Sequence, residues 1–284
     1  MEVTAQRRVI AVIGDPIAHS RSPAMHNAAF RALDLPYVYV AFRVAPAHVA
    51  EAIAAVRALD LAGLNVTIPH KEAVVPHLDR LSTTARACKA VNTVVPRAGR
   101  LLGENTDVGG LERDLADHGV GDRVASAVVL GAGGSARAAV VALARRAGRV
   151  VVAARRPERA QALVDELPSS IRSRLHAVSL AALRPRHESA TEILGGASVV
   201  VNATSAGMSG SRFPALEAAA TPRDCLFYDL VYTAERTPFV ALARSARRRA
   251  TNGLGMLLHQ GALAFELWTG EQAPLDVMRR AIRS

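Results

Sequence analysis

One segment constrains this chain more than any other: Ser126-Ala-Val-Val-Leu130 runs straight into Gly131-Ala132-Gly133-Gly134-Ser135-Ala136 and then into a helical pattern over residues 135–147. An apolar run of strand length, a G-x-G-x-x-A turn and a helix, followed by a second apolar run at 149–153, make one βαβ unit of the dinucleotide-binding kind. The first glycine permits the tight turn, the second lets the backbone approach a pyrophosphate, and the small Ala136 allows close packing of helix on strand. The anion then sits at the helix N-terminus, where backbone N–H groups point outward. A site for NAD places an acidic side chain at the end of the second strand, about 20 residues on. Here that position reads Ala153-Ala154-Arg155-Arg156-Pro157-Glu158-Arg159, with no acid at the strand end. Guanidinium groups suit a 2′-phosphate, so this stretch favours NADP over NAD.

Elsewhere too, strand-length apolar runs alternate with helical stretches, which predicts an α/β fold with parallel strands. Strands are expected at 9–13, 37–44, 61–68, 90–95, 100–103, 198–202 and 225–230. Helices are expected at 23–33, 46–59, 106–117, 157–167, 238–249 and 256–267, and a surface loop at 187–196. With 284 residues, half of them hydrophobic, the chain is long enough for one large or two ordinary domains. Its charged, proline and glycine content fits neither a disordered nor a collagen-like chain. The apolar run after Arg7 and Arg8 stops at Gly14-Asp15-Pro16, too short for a signal or a membrane span. Cys88 and Cys225, far apart and outside any CxxC or His/Cys cluster, read as core thiols in a reducing cytoplasm, with no metal site.

The formal charge of +10 comes from 35 basic residues, of which two, Lys71 and Lys89, are lysines. Clustering is confined mainly to Arg244, Arg247, Arg248 and Arg249 in one expected helix, and aromatic residues for stacking on bases are few. A solvated helix face is therefore preferred to a nucleic-acid partner.

Four polar strings fall at strand or helix ends, where open α/β sheets place their ligands: His19-Ser20-Arg21-Ser22-Pro23, Asn65-Val66-Thr67-Ile68-Pro69-His70-Lys71, Ala90-Val91-Asn92-Thr93 and Glu104-Asn105-Thr106-Asp107. Taken alone, each would read as an N-cap or a turn. In this order and ahead of the glycine turn, they resemble the shikimate dehydrogenase family. Further matches follow at Asn202-Ala-Thr-Ser205, Tyr228-Asp229-Leu230-Val231-Tyr232, Thr237-Pro238-Phe239, Asn252-Gly253-Leu254-Gly255-Met256 and Gln260.

The resemblance implies an N-terminal α/β substrate domain (1–106 and 253–284, the C-terminal helices returning to it) and a Rossmann-type parallel-sheet NADP domain (107–252), with substrate in the cleft between them. It implies reversible reduction of 3-dehydroshikimate to shikimate with NADPH by a cytoplasmic monomer or homodimer, with a small-molecule substrate and neither membrane nor nucleic acid as partner. It assigns Ser20 and Ser22 to the substrate carboxylate, Asn65, Thr67, Asn92, Asp107 and Gln260 to the ring hydroxyls, and Tyr232 to closing over the carboxylate side. Lys71 matches the catalytic lysine and Asp107 its partner.

On the cofactor side, the resemblance assigns Gly131, Ala132, Gly133, Gly134 and Ser135 to the pyrophosphate. Ala154, Arg155, Arg156 and Arg159 fall at the adenosine phosphate, and Thr204, Leu230 and Gly253 near the nicotinamide. Two positions depart from the family pattern: Asn-Arg-Thr is common where this chain has Ala154-Arg155-Arg156, and an acid where it has Thr83.

The chemistry accounts for a lysine at position 71. Hydride delivery to a carbonyl leaves developing alkoxide charge, which an ammonium both stabilises and protonates, whereas a guanidinium does not release its proton. Quinate/shikimate and aminoshikimate dehydrogenases share most of these strings, and a non-catalytic NADP-sensing protein is the alternative from another class. The lysine–aspartate pair argues against a pure sensor.

Overall fold

The computed structural model describes residues 4–207, 213–232 and 236–283, which divide into two compact units, 1–110 with 256–284 and 111–255. The chain passes from one to the other inside helices, a few residues beyond the boundaries expected from the motifs.

The first unit opens with β1 (Arg8–Gly14), α1 (Ser22–Ala32), β2 (Tyr37–Arg43), α2 (Val49–Ala58) and β3 (Gly63–Val66). There follow β4 (Arg80–Leu81), α3 (Thr83–Cys88), β5 (Thr93–Arg97), β6 (Arg100–Glu104) and α4 (Thr106–Asp117), the helix on which the chain leaves this unit. The sheet order is β2-β1-β3-β5-β6-β4. β1 pairs in parallel with β2 and β3, whereas β5 runs against both β3 and β6. The near-continuous apolar run of β1 is buried from Ile10 onward, as a strand flanked by two neighbours and covered on both faces requires.

The second unit contains β7 (Val124–Leu130), α5 (Gly134–Ala144), β8 (Ala147–Ala154), α6 (Pro157–Glu166), α7 (Ser169–Arg172) and β9 (Leu175–Ser179). It continues through α8 (Glu188–Leu194), β10 (Ala197–Asn202), β11 (Leu226–Asp229), α9 (Pro238–Ser245) and β12 (Arg249–Thr251). Its strands are parallel throughout, in the order β12-β11-β10-β7-β8-β9. The chain winds outward from β7 and then returns to β10 on the other side, which makes the β7/β10 boundary the switch point of a doubly wound sheet. The helices α10 (Leu254–Thr269) and α11 (Leu275–Arg283) carry the chain back to the first unit. There the Trp268 indole donates to the Val94 carbonyl at 3.0 Å and Arg21 donates to the Ile282 carbonyl.

Two expectations fail. Residues 187–196 hold a helix, not a loop, because Ala190, Ile193 and Leu194 share one face and bury it. The helix expected over 238–249 stops at Ser245: Arg247 adopts a positive φ of 56°, and Arg249 enters β12. The basic run is therefore no single helix face. Arg248 spends its guanidinium on the carbonyls of Ala219, Thr221 and Ala246, and Arg249 donates to the carbonyl of His118. Cys88 and Cys225 are both buried, and neither is in a disulfide. No helix among the described residues is long and apolar enough to cross a membrane.

Candidate active site

The antiparallel strand β5 assembles the polar strings of the first unit. Thr93 at its start pairs with Asn65 near the end of β3 on one side and with Glu104 at the end of β6 on the other. Asn92, one residue earlier, therefore lies beside the carboxyl ends of β3 and β6, and Lys71 and Asp107 follow those ends. The Lys71 ammonium donates to Asp107 Oδ2 at 2.5 Å, and both side chains are nearly sealed from solvent. Asn92 Nδ2 donates to the other carboxylate oxygen at 2.8 Å, and to Thr106 Oγ1 and Gln260 Oε1 at 2.9 and 3.2 Å. Thr106 N returns a bond to Asn92 Oδ1 at 2.8 Å. The pair is thus braced through both oxygens of its acid, a charge-assisted arrangement stronger than neutral hydrogen bonds.

The structure also draws Asn65 and Gln260 into this network. Thr67 follows β3, and Ser20 and Ser22 follow β1, the parallel neighbour of β3. The Ser22 amide donates to Ser20 Oγ at 3.3 Å, and the Thr67 amide donates to the Ile13 carbonyl at 2.9 Å. His70, next to the lysine, is buried with Nε2 at 2.7 Å from the Val44 carbonyl, a packing role. Sequence reasoning missed Tyr39, Thr93 and Thr106, all buried and all bonded into the network. The available signal for Tyr39 was a phenol in an apolar strand, which must find a partner for its hydroxyl.

In the second unit the glycine turn follows β7 at the switch point. Gly131 has φ +118°, a conformation open to glycine, and a side chain there would meet the Ala203 carbonyl at 3.0 Å. Above Gly133 there is open space, and no side chain caps the N-terminus of α5. A backbone exposed in this way at the start of a helix fits a pyrophosphate. Arg155, Arg156 and Arg159 are exposed just past Ala154 at the end of β8. Their guanidinium groups fit a phosphate on the adenosine ribose.

Thr204 follows β10, its hydroxyl donating to Asn202 Oδ1 at 2.6 Å, while Asn202 Nδ2 donates to Asp229 Oδ1 at 2.8 Å. Asp229 also accepts from the Val231 amide and the Thr237 hydroxyl, at 3.0 and 2.5 Å, so one carboxylate joins the end of β10 to both ends of the β11–α9 connection. Burial pushes its carboxyl above the usual range, against those three hydrogen bonds. Leu230 and Tyr232 follow β11, both half-buried, and the backbone of Gly253 packs so tightly on Leu230 that a side chain would meet its carbonyl at 2.6 Å.

Comparison with known proteins identifies the family. The shikimate dehydrogenase substrate binding domain matches residues 12–94 and the shikimate 5′-dehydrogenase C-terminal domain residues 253–283. The chain is 43% identical over 277 residues to the shikimate dehydrogenase (NADP(+)) of Symbiobacterium thermophilum, covering 96% of this chain and 93% of that one. Among solved structures it is similar to shikimate 5-dehydrogenase from Thermus thermophilus in complex with NADP(H) and shikimate, with a TM-score of 0.83, 38% identity and coverage of 97% and 98% of the two chains. It is also similar to quinate dehydrogenase from Corynebacterium glutamicum in complex with NAD, with a TM-score of 0.85, 31% identity and the same coverage. With near full-length relatives well above 30% identity, the chain belongs to the shikimate dehydrogenase family.

Proposed function

We propose that this chain catalyses the reversible reduction of 3-dehydroshikimate to shikimate with NADPH, in the cytoplasm. The observation that carries the reading is the buried Lys71–Asp107 pair, held through Asn92 at a strand-end cluster of short polar side chains. NADPH, when bound, supplies the hydride. Lys71 Nζ donates a proton to the oxygen that becomes the new hydroxyl, and in the oxidising direction the amine takes it back. Asp107 holds the ammonium in place and Asn92 holds Asp107. Ser20 and Ser22 bind the substrate carboxylate, Thr67, Asn92 and Gln260 its ring hydroxyls, and Tyr232 covers the carboxylate side. The Gly131 to Ser135 turn takes the pyrophosphate, Thr204, Leu230 and Gly253 lie near the nicotinamide, and Arg155, Arg156 and Arg159 take the 2′-phosphate.

The test is a panel of shikimate and quinate with NADP and NAD, followed by absorbance of the reduced nicotinamide. Shikimate with NADP should give the highest kcat/KM. Comparable turnover of quinate would assign the chain to the quinate branch, and no turnover with any pair would leave a sensor. Arg155→Gln combined with Arg156→Gln should raise KM for NADP by roughly 10-fold or more, the loss of about 1.4 kcal/mol per decade, with KM for NAD nearly unchanged. Equal losses for both cofactors would detach these arginines from the 2′-phosphate.

A further inference from the structure

We infer that Asn65 and Tyr39 are positioning residues that set the geometry of the Lys71–Asp107 pair through Asn92, with both N–H groups of Asn65 committed inside the protein. The inference rests on the proposed reaction only for its kinetic consequence. Asn65 is 6% exposed and its carboxamide is spent internally. Its Nδ2 donates to the Asn92 carbonyl at 2.9 Å and to Thr93 Oγ1 at 3.0 Å, and its Oδ1 accepts the Tyr39 hydroxyl at 2.6 Å. A primary amide has two N–H bonds, so both are used.

The orientation of that amide is fixed by chemistry. Rotating it by half a turn would set Oδ1 against the Asn92 carbonyl, an acceptor facing an acceptor. Thr93 Oγ1 donates onward to Asn92 Oδ1 at 3.1 Å, so Asn65 grips Asn92 by its main chain and, through Thr93, by its side chain. Asn92 in turn holds Asp107 Oδ1, opposite the oxygen that holds Lys71.

Tyr39 is itself held on three sides. Asn27 pairs with its backbone in both directions, Nδ2 to the carbonyl at 2.8 Å and the amide to Oδ1 at 2.9 Å, as a neighbouring strand would. Its ring stacks on His26 with centroids 4.4 Å apart. The relay runs from a fixed phenol to the amide, then to Asn92, the acid and the lysine.

Two lysines in the chain give this relay a direct reporter. In protein labelled with carbon-13 at lysine Cε, Lys71 and Lys89 give two signals, assigned with Lys71→Arg. Tyr39→Phe keeps the ring and its stacking while removing the hydroxyl, and it should shift or broaden the Lys71 signal while leaving Lys89 in place. In turnover, kcat for shikimate should fall about tenfold, KM for shikimate should change less than about twofold, and the primary isotope effect on kcat with shikimate deuterated at the carbon that gives up the hydride should rise, as a misplaced reacting group requires. Asn65→Ser should act in the same direction and more strongly.

An unchanged Lys71 signal in Tyr39→Phe would overturn the inference whatever the substrate proves to be. A rise in KM for shikimate at unchanged kcat in Asn65→Ser would make Asn65 a substrate contact instead. Wild-type protein that turns over no substrate would sink the proposed reaction alone, since the lysine signals still report on the relay.

Discussion

Lys71→Arg is expected to lower kcat for shikimate oxidation by about 10²–10⁴-fold, the usual contribution of a positioned acid or base, with binding of shikimate retained. The choice of arginine matters. Removing the side chain altogether would leave Asp107 as an unpaired carboxylate that is almost completely buried, and such a loss confounds catalysis with stability. Arginine keeps the positive charge beside Asp107 and removes only the capacity to exchange a proton near neutral pH. The chain supplies its own argument for the experiment, since arginine fills the great majority of its 35 basic positions and yet lysine stands here. Activity of Lys71→Arg within tenfold of wild type would show that the charge alone suffices and that the proton comes from elsewhere.

The second large effect concerns acid stability. His26 is fully buried against Tyr39, Phe30, Phe265 and Trp268, and neither ring nitrogen has a hydrogen-bond partner among the described residues. Burial lowers its pKa from the ordinary 6.5 to about 3. In the folded state it stays neutral while the unfolded chain takes up a proton as the pH drops below 6.5. The unfolded state therefore binds more protons, and stability is lost as the pH falls through the window from 6.5 to about 3. At pH 4.5 the loss amounts to about 3 kcal/mol, from roughly 1.4 kcal/mol for each pH unit below the ordinary value.

His26→Phe preserves an aromatic ring in an aromatic cluster and removes the titration. The single tryptophan, Trp268, lies in the same unit with its ring 5.6 Å from that of His26, so its fluorescence follows denaturant unfolding of that unit. The stability of wild type relative to His26→Phe should decline between pH 6.5 and 4.5. Parallel curves over that range would show that His26 is hydrated in the folded protein.

Much of the second unit was legible because its signals are local. The valine-rich runs of β7, β8 and β10 and the glycine turn sit in consecutive sequence, and the backbone they demand follows from those residues alone. Short elements escaped for the opposite reason. The α8 helix has a polar first turn and a buried face made of only three side chains, and β12 is three residues of ordinary polarity whose place is fixed by pairing with β11. The expected helix over 238–249 ran too long because arginine is a good helix former, whereas tertiary hydrogen bonds from Arg248 to carbonyls around Thr221 draw the chain out of it.

At the candidate site, the residue types were legible as polar strings, but their joining was not. Asn65, Asn92 and Asp107 meet because one strand runs against its neighbours, a fact of register that no single string contains. The same register brings the Asn65 side chain to Tyr39, Thr93 and the Asn92 carbonyl. Tyr39 was marked only as a phenol in need of a hydroxyl partner, and that partner, Asn65, lies on another strand of the sheet.

The division of the first unit between the two ends of the chain sets an order of events during synthesis. Domains usually fold from the N-terminus forward as the chain emerges. Here residues 1–110 emerge first, but Trp268, which caps the Val94 carbonyl, Ile282, which receives Arg21, and Gln260, which meets Asn92, are made last. The contiguous stretch 111–255 can close its core while still tethered to the ribosome. The unit made first lacks those three contacts until residues 254–283 have followed.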